Sequence, residues 1–195
     1  MDRNLTAETD ITPHADSVPV EHRFAPTRYR GQVWNLSHLD PFALKVPLTE
    51  QLGSVDVVVL FGWHCFTRGP EPGQTFQGVP LEDIYRLDGQ RRVLCPERYE
   101  LSKQLPAIVR NLPSRQIRMA ERQNYFLVEE ATADGGTVDY AIFFEVSRDG
   151  KRRRLFLRIQ TAYTGLRITA RLRDAKKVRF NTLVKSVFER KPLRA

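Results

Sequence analysis

With 195 residues, the chain can build one sizeable core or two small domains that share an interface. Its 41% hydrophobic and 10% aromatic content excludes a disordered polypeptide, and no apolar run reaches the roughly 18 residues that a membrane helix needs. Charge is unevenly placed: residues 151–195 hold 15 of the 31 Lys+Arg and, of the 23 acidic groups, only Asp174 and Glu189, a local net of +13, whereas residues 1–150 carry a net of −5.

Residues 1–23 are polar, contain Pro13 and Pro19, show no periodicity, and read as a mobile arm. The opening Met1-Asp2-Arg3-Asn4-Leu5 has no apolar signal core, and Cys65 and Cys95 are too few for a disulfide scaffold, so a reduced, cytoplasmic protein is expected. From Phe24 to Asp40, aromatic and apolar residues occur without a period, as in an irregular wrap against a core. Phe42, Leu44, Val46 and Leu48 then alternate with smaller or polar residues, the pattern of a half-buried strand, and Pro47 points to a sheet edge. Val55–Phe61 reads as a strand buried on both faces. Asp88-Gly89 between two short apolar runs predicts a hairpin over 84–94.

Leu105, Ile108, Val109 and Leu112 have helical spacing, with Ser102 as the expected N-cap, Pro106 in the first turn and Pro113 as a stop. A short helix over 114–121 is also expected. Strands follow at 125–129, 139–146 and 153–163, turned by Asp134-Gly135-Gly136 and Arg148-Asp149-Gly150. In the last of these, Leu155, Leu157, Ile159 and Thr161 are expected on one face, with Arg154, Phe156, Arg158 and Gln160 on the other. Leu166–Arg173 alternates as a further strand that aligns Arg167, Arg171 and Arg173, and Phe180–Phe188 carries an apolar helical stripe within a helix near 178–190. The fold class is therefore α+β: a mainly antiparallel sheet, or two small packed sheets, with two or three covering helices. Residues 24–100 form a mainly β half and 101–195 a basic α+β half, or the two make one continuous domain.

A basic surface of this kind suits a polyanion. Alternate residues on a strand lie about 7 Å apart, close to the phosphate repeat of a nucleic-acid strand. Arg154, Arg158, Arg167, Arg171, Arg173, Lys176 and Lys177 are accordingly the candidate nucleic-acid contacts, with Phe156 available to stack. The competing reading is a solvated face whose cations guard a sheet edge. Trp63-His64-Cys65 supplies a candidate general base in His64. His64 and Cys65 point to opposite sides of a strand, so only one of them, with His38 or Cys95, can enter a metal site; four donors are not evident, and no metal or cofactor is expected. Glu145, paired across a hairpin with the Arg154/Arg158 side, is either half of an ion pair or a base beside phosphate-holding arginines. Glu97 and Glu100, read as preceding the first helix, are expected to complement its dipole.

From Leu105 to Tyr163, helix, short helix and then the strings NYFLVEE and DYAIFFEVSRDGKRRRLFLRIQTAY resemble the RelE/ParE-type toxin fold. The resemblance implies helices preceding a twisted antiparallel sheet. In RNA-cleaving members it implies a basic pair, here Arg154 and Arg158, and an aromatic acid/base, here Tyr163; ParE-type members bind a topoisomerase instead. HCFTR, RYELSKQLP and FFEV also look like segments of small uncharacterised bacterial proteins. The leading expectation is a nucleic-acid-interacting protein, in its catalytic version a toxin-like, metal-independent endoribonuclease using Arg158, Tyr163, Glu145 or His64. The alternative is a non-catalytic module for RNA, DNA or an acidic protein partner, and neither version involves a membrane.

Overall fold

A computed structural model of the protein describes residues 22–71, 73, 75–119, 124–131, 137–164 and 175–193. The chain opens with a hairpin of β1 (Thr27–Tyr29) and β2 (Gln32–Trp34), followed by the long hairpin β3 (Phe42–Thr49) and β4 (Gly53–His64). Next come β5 (Thr67–Arg68), β6 (Ile84–Leu87) and β7 (Gln90–Leu94), then α1 (Pro96–Ser102) and α2 (Leu105–Arg110). The C-terminal part contributes β8 (Gln116–Met119), β9 (Asn124–Ala131), β10 (Thr137–Arg148), β11 (Arg154–Tyr163), β12 (Lys177–Arg179) and α3 (Phe180–Glu189).

The main sheet has seven strands in the order β12-β8-β9-β10-β11-β4-β3. Every pairing in it is antiparallel except β11–β4, which is parallel. Strands from both halves of the sequence therefore share one sheet, and β3, the strand with Pro47, lies at its edge, where a missing N–H costs no ladder bond. A smaller sheet, β5-β7-β6, and the β1–β2 hairpin pack beside it.

One face of the main sheet builds the core. Leu44 and Val46, Val55 to Phe61 in alternation, Tyr140 to Val146 in alternation, and Leu155, Leu157 and Ile159 meet Leu105, Ile108 and Val109 of α2. Phe180, Leu183 and Val184 of α3 join the same cluster, as the helical stripe predicts. Val58 and Leu60 are also buried on the opposite side of β4, so the expectation of a strand covered on both faces holds.

Local chemistry explains the tight turns. Asp88 and Gly89 both have positive φ (49° and 75°), as a two-residue hairpin turn requires. Arg30 and Gly31 do the same (46° and 80°), and this hairpin replaces the irregular wrap expected for 24–40. Arg30 tolerates the left-handed region because its guanidinium forks onto the buried Asp83, at 3.2 and 2.8 Å.

Several expectations are corrected. The helix expected from Ser102 onward starts at Leu105, as α2, and Ser102 is the buried last residue of a separate preceding helix, α1, rather than an N-cap. Pro106 does fall in the first turn of α2. Of the segment expected as a helix over 114–121, Gln116–Met119 is instead β8, held as a strand between β9 and β12, and residues 120–121 lie outside the described residues; tertiary pairing overrides a weak local preference. Glu97 and Glu100 lie within α1, not ahead of it. The strand expected over 166–173 and residues 1–21 of the N-terminal arm lie outside the described residues; of the arm's end, Arg23 meets Asp40 at 3.6 Å.

The most consequential departure is a bulge. Opposite β10, Phe143 pairs with Thr161 but Phe144 with Ile159, leaving Gln160 as an extra residue. The inward series therefore runs Leu155, Leu157, Ile159 and then Ala162, not Thr161. Tyr163 is thereby turned out of the core to stack on Phe143 of the opposite face, with centroids 5.8 Å apart. Gly62 makes room for the bulge, since a Cβ there would sit 2.8 Å from the Gln160 carbonyl oxygen and 3.1 Å from that of Ile159. Gly62→Ala is expected to destabilise the protein by about 1–3 kcal/mol, the usual cost of forcing atoms into an occupied space. A urea midpoint unchanged from wild type would show that the β4–β11 contact is not as close as described.

Candidate functional site

The parallel pair β4–β11 brings two strand carboxyl ends to the same place, with Thr161 opposite His64. Concave sites form readily beyond such ends, because the chain must leave the sheet there and its side chains converge. At this end, β4 delivers Trp63 and His64, β5 delivers Thr67, β7 delivers Arg92, α1 delivers Glu97 and Arg98, and β11 delivers Tyr163.

Thr67 anchors the cluster. Its hydroxyl donates to the Trp63 carbonyl at 2.7 Å and accepts from Arg92 Nε at 2.9 Å. Its carbonyl accepts from Arg98 Nη1 at 2.9 Å, and the same nitrogen donates to the His64 carbonyl at 3.0 Å. Two guanidinium groups are thus pinned to one residue, each resting on an aromatic ring: Arg92 over Trp63 at 6.0 Å and Arg98 over Tyr163 at 4.9 Å. Glu97 accepts a hydrogen bond from the Thr164 hydroxyl, which joins α1 to the end of β11.

The electrostatics follow from this crowding. Burial, then Arg92 and Arg98, hold the His64 imidazole below its ordinary pKa, so it is neutral at neutral pH. Burial and Arg98 also lower Arg92. A neutral imidazole beside two fixed cations can donate or accept a hydrogen bond, and the cations favour any anion that enters.

The neighbouring thiol is a different matter. Cys65 is fully buried, burial pushes its pKa up to about 12, and the sulfur faces the Ile159 carbonyl at 4.0 Å. It is a packed core atom, not a nucleophile. His38 and Ser102 also form a pair, at 2.7 Å. The serine proton is committed to the Tyr99 carbonyl at 2.7 Å, so His38 Nε2–H must donate to Ser102 Oγ. That is the reverse of what a base activating a serine requires. Among the described residues, no three of His, Cys, Asp and Glu are grouped to hold a metal ion.

The sequence-derived candidates fall in several places. Tyr163 and His64 belong to the carboxyl-end cluster. Glu145 and Arg158 face each other across β10–β11, as the hairpin predicts, with Gln160 Nε2 donating to Glu145 at 3.4 Å. That pair lies roughly 15 Å down the strand from Tyr163, at ~3.3 Å per residue. Arg154 is bound to Asp149 at 2.6 Å, with both side chains largely buried, and its guanidinium lies over Phe156 at 5.2 Å. Lys176 and Lys177 are exposed at the β12 edge of the sheet. Arg167, Arg171 and Arg173 lie outside the described residues.

A second basic site lies at the β10–β11 turn. Arg148, Asp149, Gly150, Lys151, Arg152, Arg153 and Arg190 line a cleft of about 290 Å³. Arg190 ends α3 in the left-handed conformation (φ 57°), and Arg148 donates to the Phe188 carbonyl in the last turn. Arg148 and Arg153 both lie over the Phe188 ring, at 5.9 and 5.3 Å. Cations at a helix carboxyl end are favoured by its dipole, so this cluster is stable as well as charged.

The sequence assigns no site role to Arg92, Arg98 or Thr67, although Thr67 belongs to the string HCFTR and Arg98 lies next to Glu97. The only signal they carry there is proximity to His64 for Thr67, and nothing in the spacing links residues 64, 92, 98 and 163.

These features define an α+β protein on a mixed sheet, with one positive site at the ends of its parallel strands and another at a hairpin turn. The sequence matches the YjaZ family over residues 26–188, and the chain belongs to that family. No curated protein and no solved structure matches it.

The depressed histidines have a measurable consequence. Burial is the leading cause of the lowering at His38, as it is at His64. As pH falls through the unfolded value of about 6.5, the unfolded chain takes up protons that the folded chain refuses, so stability drops on acidification and is flat above that value. Urea midpoints at pH 7.5 and 5.5 should show a smaller acid loss in His64→Gln than in wild type. An equal loss in both would contradict the depressed imidazole.

Proposed function

We propose that this YjaZ-family protein binds nucleic acid, with single-stranded RNA as the preferred ligand, through the cleft at the β10–β11 turn. One observation carries the reading: five of the seven residues lining the cleft are Lys or Arg, and its only acid, Asp149, is already taken by Arg154. Such a surface attracts phosphates and releases their counterions on binding. The exposed cations at the β12 edge, Lys176, Lys177 and Arg179, extend the positive surface beyond α3, whose two ends meet the edge and the cleft.

Binding rather than cleavage is the reading we favour for the cleft, because it contains neither a histidine nor an unpaired carboxylate to move a proton. No described helix is long and apolar enough to cross a membrane. We place the protein in the cytoplasm, a reading supported by two buried free cysteines.

The test is the salt dependence of binding to a mixed-sequence single-stranded RNA. For single strands, log K falls with log salt by about 0.7 per phosphate contact. Arg153→Gln together with Arg190→Gln should weaken binding at low salt and reduce that slope by about 1.4. Unchanged affinity and slope would remove the cleft from the interface. A shallow slope together with a stoichiometric protein complex would point to an acidic protein partner instead.

A further inference from the structure

We propose that the cluster of Arg92, Arg98 and His64 at the carboxyl ends of β4 and β11 is a second site, one that receives the phosphate monoester of a nucleotide. It rests on the nucleic-acid reading only for the identity of the ligand, because the chemistry at the site itself asks for a dianionic phosphate.

The argument is one of uncompensated charge and committed donors. Arg98 spends Nη1 on the carbonyls of His64 and Thr67, and Arg92 spends Nε on the Thr67 hydroxyl. Among the described residues, the remaining N–H groups of both have no acceptor, and neither guanidinium is paired with a carboxylate. The acid nearest in sequence, Glu97, is engaged by Thr164. Both arginines are half-buried, so an anion that reaches them is partly shielded from water and is held more strongly than at an open surface. Two such cations pinned to one threonine, with planes set by Trp63 and Tyr163, are organised before any ligand arrives.

Charge selects among phosphates. A phosphodiester carries one negative charge, whereas a monoester carries about −1.5 to −2 at pH 7. Two unmatched cations fit the monoester better. His64 adds a hydrogen-bonding group without a third charge. The terminal phosphate of an RNA strand and the phosphate of a free mononucleotide present the same chemistry.

The experiment compares one RNA sequence in three forms: 5′-phosphorylated, 3′-phosphorylated and hydroxyl-ended. Wild type should bind one phosphorylated form at least about tenfold more tightly than the hydroxyl form, a difference that charge-assisted hydrogen bonds readily supply. Arg92→Gln should erase the preference while leaving the affinity for hydroxyl-ended RNA in place. Arg153→Gln with Arg190→Gln should do the opposite, lowering all affinities and keeping the ratio. The wild-type comparison stands even if Arg92→Gln folds poorly, and Arg92→Lys offers a milder variant that keeps the charge but not the fork.

Equal binding of all three forms by wild type would overturn the site and leave the cleft reading intact. A preference that survives in Arg92→Gln would overturn the assignment to this cluster. If no RNA binds, the nucleic-acid reading fails, and the site is then judged with adenosine 5′-monophosphate against adenosine, followed by calorimetric titration. Tighter binding of the phosphorylated compound supports the site with a free nucleotide as ligand; no difference overturns it.

Discussion

The close approach of β4 to β11 governs the molecule. These two strands are the only parallel neighbours among the described residues, and they join the N-terminal hairpin to the C-terminal meander in one sheet. A parallel pair cannot be closed by a tight turn, so its two strand ends are free to carry side chains from elsewhere. The contact depends on Gly62 lying against the carbonyls of Ile159 and Gln160. The bulge at Gln160 then rotates the end of β11, burying Ala162 and exposing Tyr163 to Phe143 and Arg98. One missing side chain and one extra residue thereby determine what the carboxyl end presents.

The positive charge of the C-terminal region is handled in three ways. Some of it is neutralised locally, as at Arg154 with Asp149. Some is used for packing and capping: Arg148 satisfies a carbonyl in the last turn of α3, and Arg148 and Arg153 lie on Phe188. Other described cations lie at the β10–β11 turn and along the β12 edge, where exposed charge also discourages strand-to-strand association. The outward face of β11 carries Arg154, Phe156 and Arg158, as the alternation predicts. Its outward positions alternate between a paired Arg154, a half-buried Phe156 and an Arg158 that faces Glu145.

The two candidate sites differ in physical kind. The turn cleft is open and lined by five cations, which suits many phosphates along a chain and gives affinity that salt erodes. The carboxyl-end cluster is half-buried and held by hydrogen bonds to backbone carbonyls, which suits one phosphate in one geometry. A protein with both can hold a strand loosely and an end firmly.

Much of the architecture is legible in the residues alone. Alternation identifies β3, β10 and β11, a continuous apolar run identifies β4, Asp88-Gly89 marks a hairpin, Pro47 marks an edge, and the stripe from Phe180 to Phe188 marks α3; each is a local consequence of side-chain period or allowed φ. β8 and the break between α1 and α2 are not legible, because strand pairing and packing override weak local preferences there. The bulge at Gln160 is not legible either, since a shifted register leaves no mark in composition. The sequence by itself determined the long strands, the last helix and where net charge would accumulate, because each follows from local period or composition. Only the tertiary structure decided that Thr67, Arg92 and Arg98 would meet beside His64, because residues so far apart in sequence are brought together by pairing across the sheet, which no local pattern encodes.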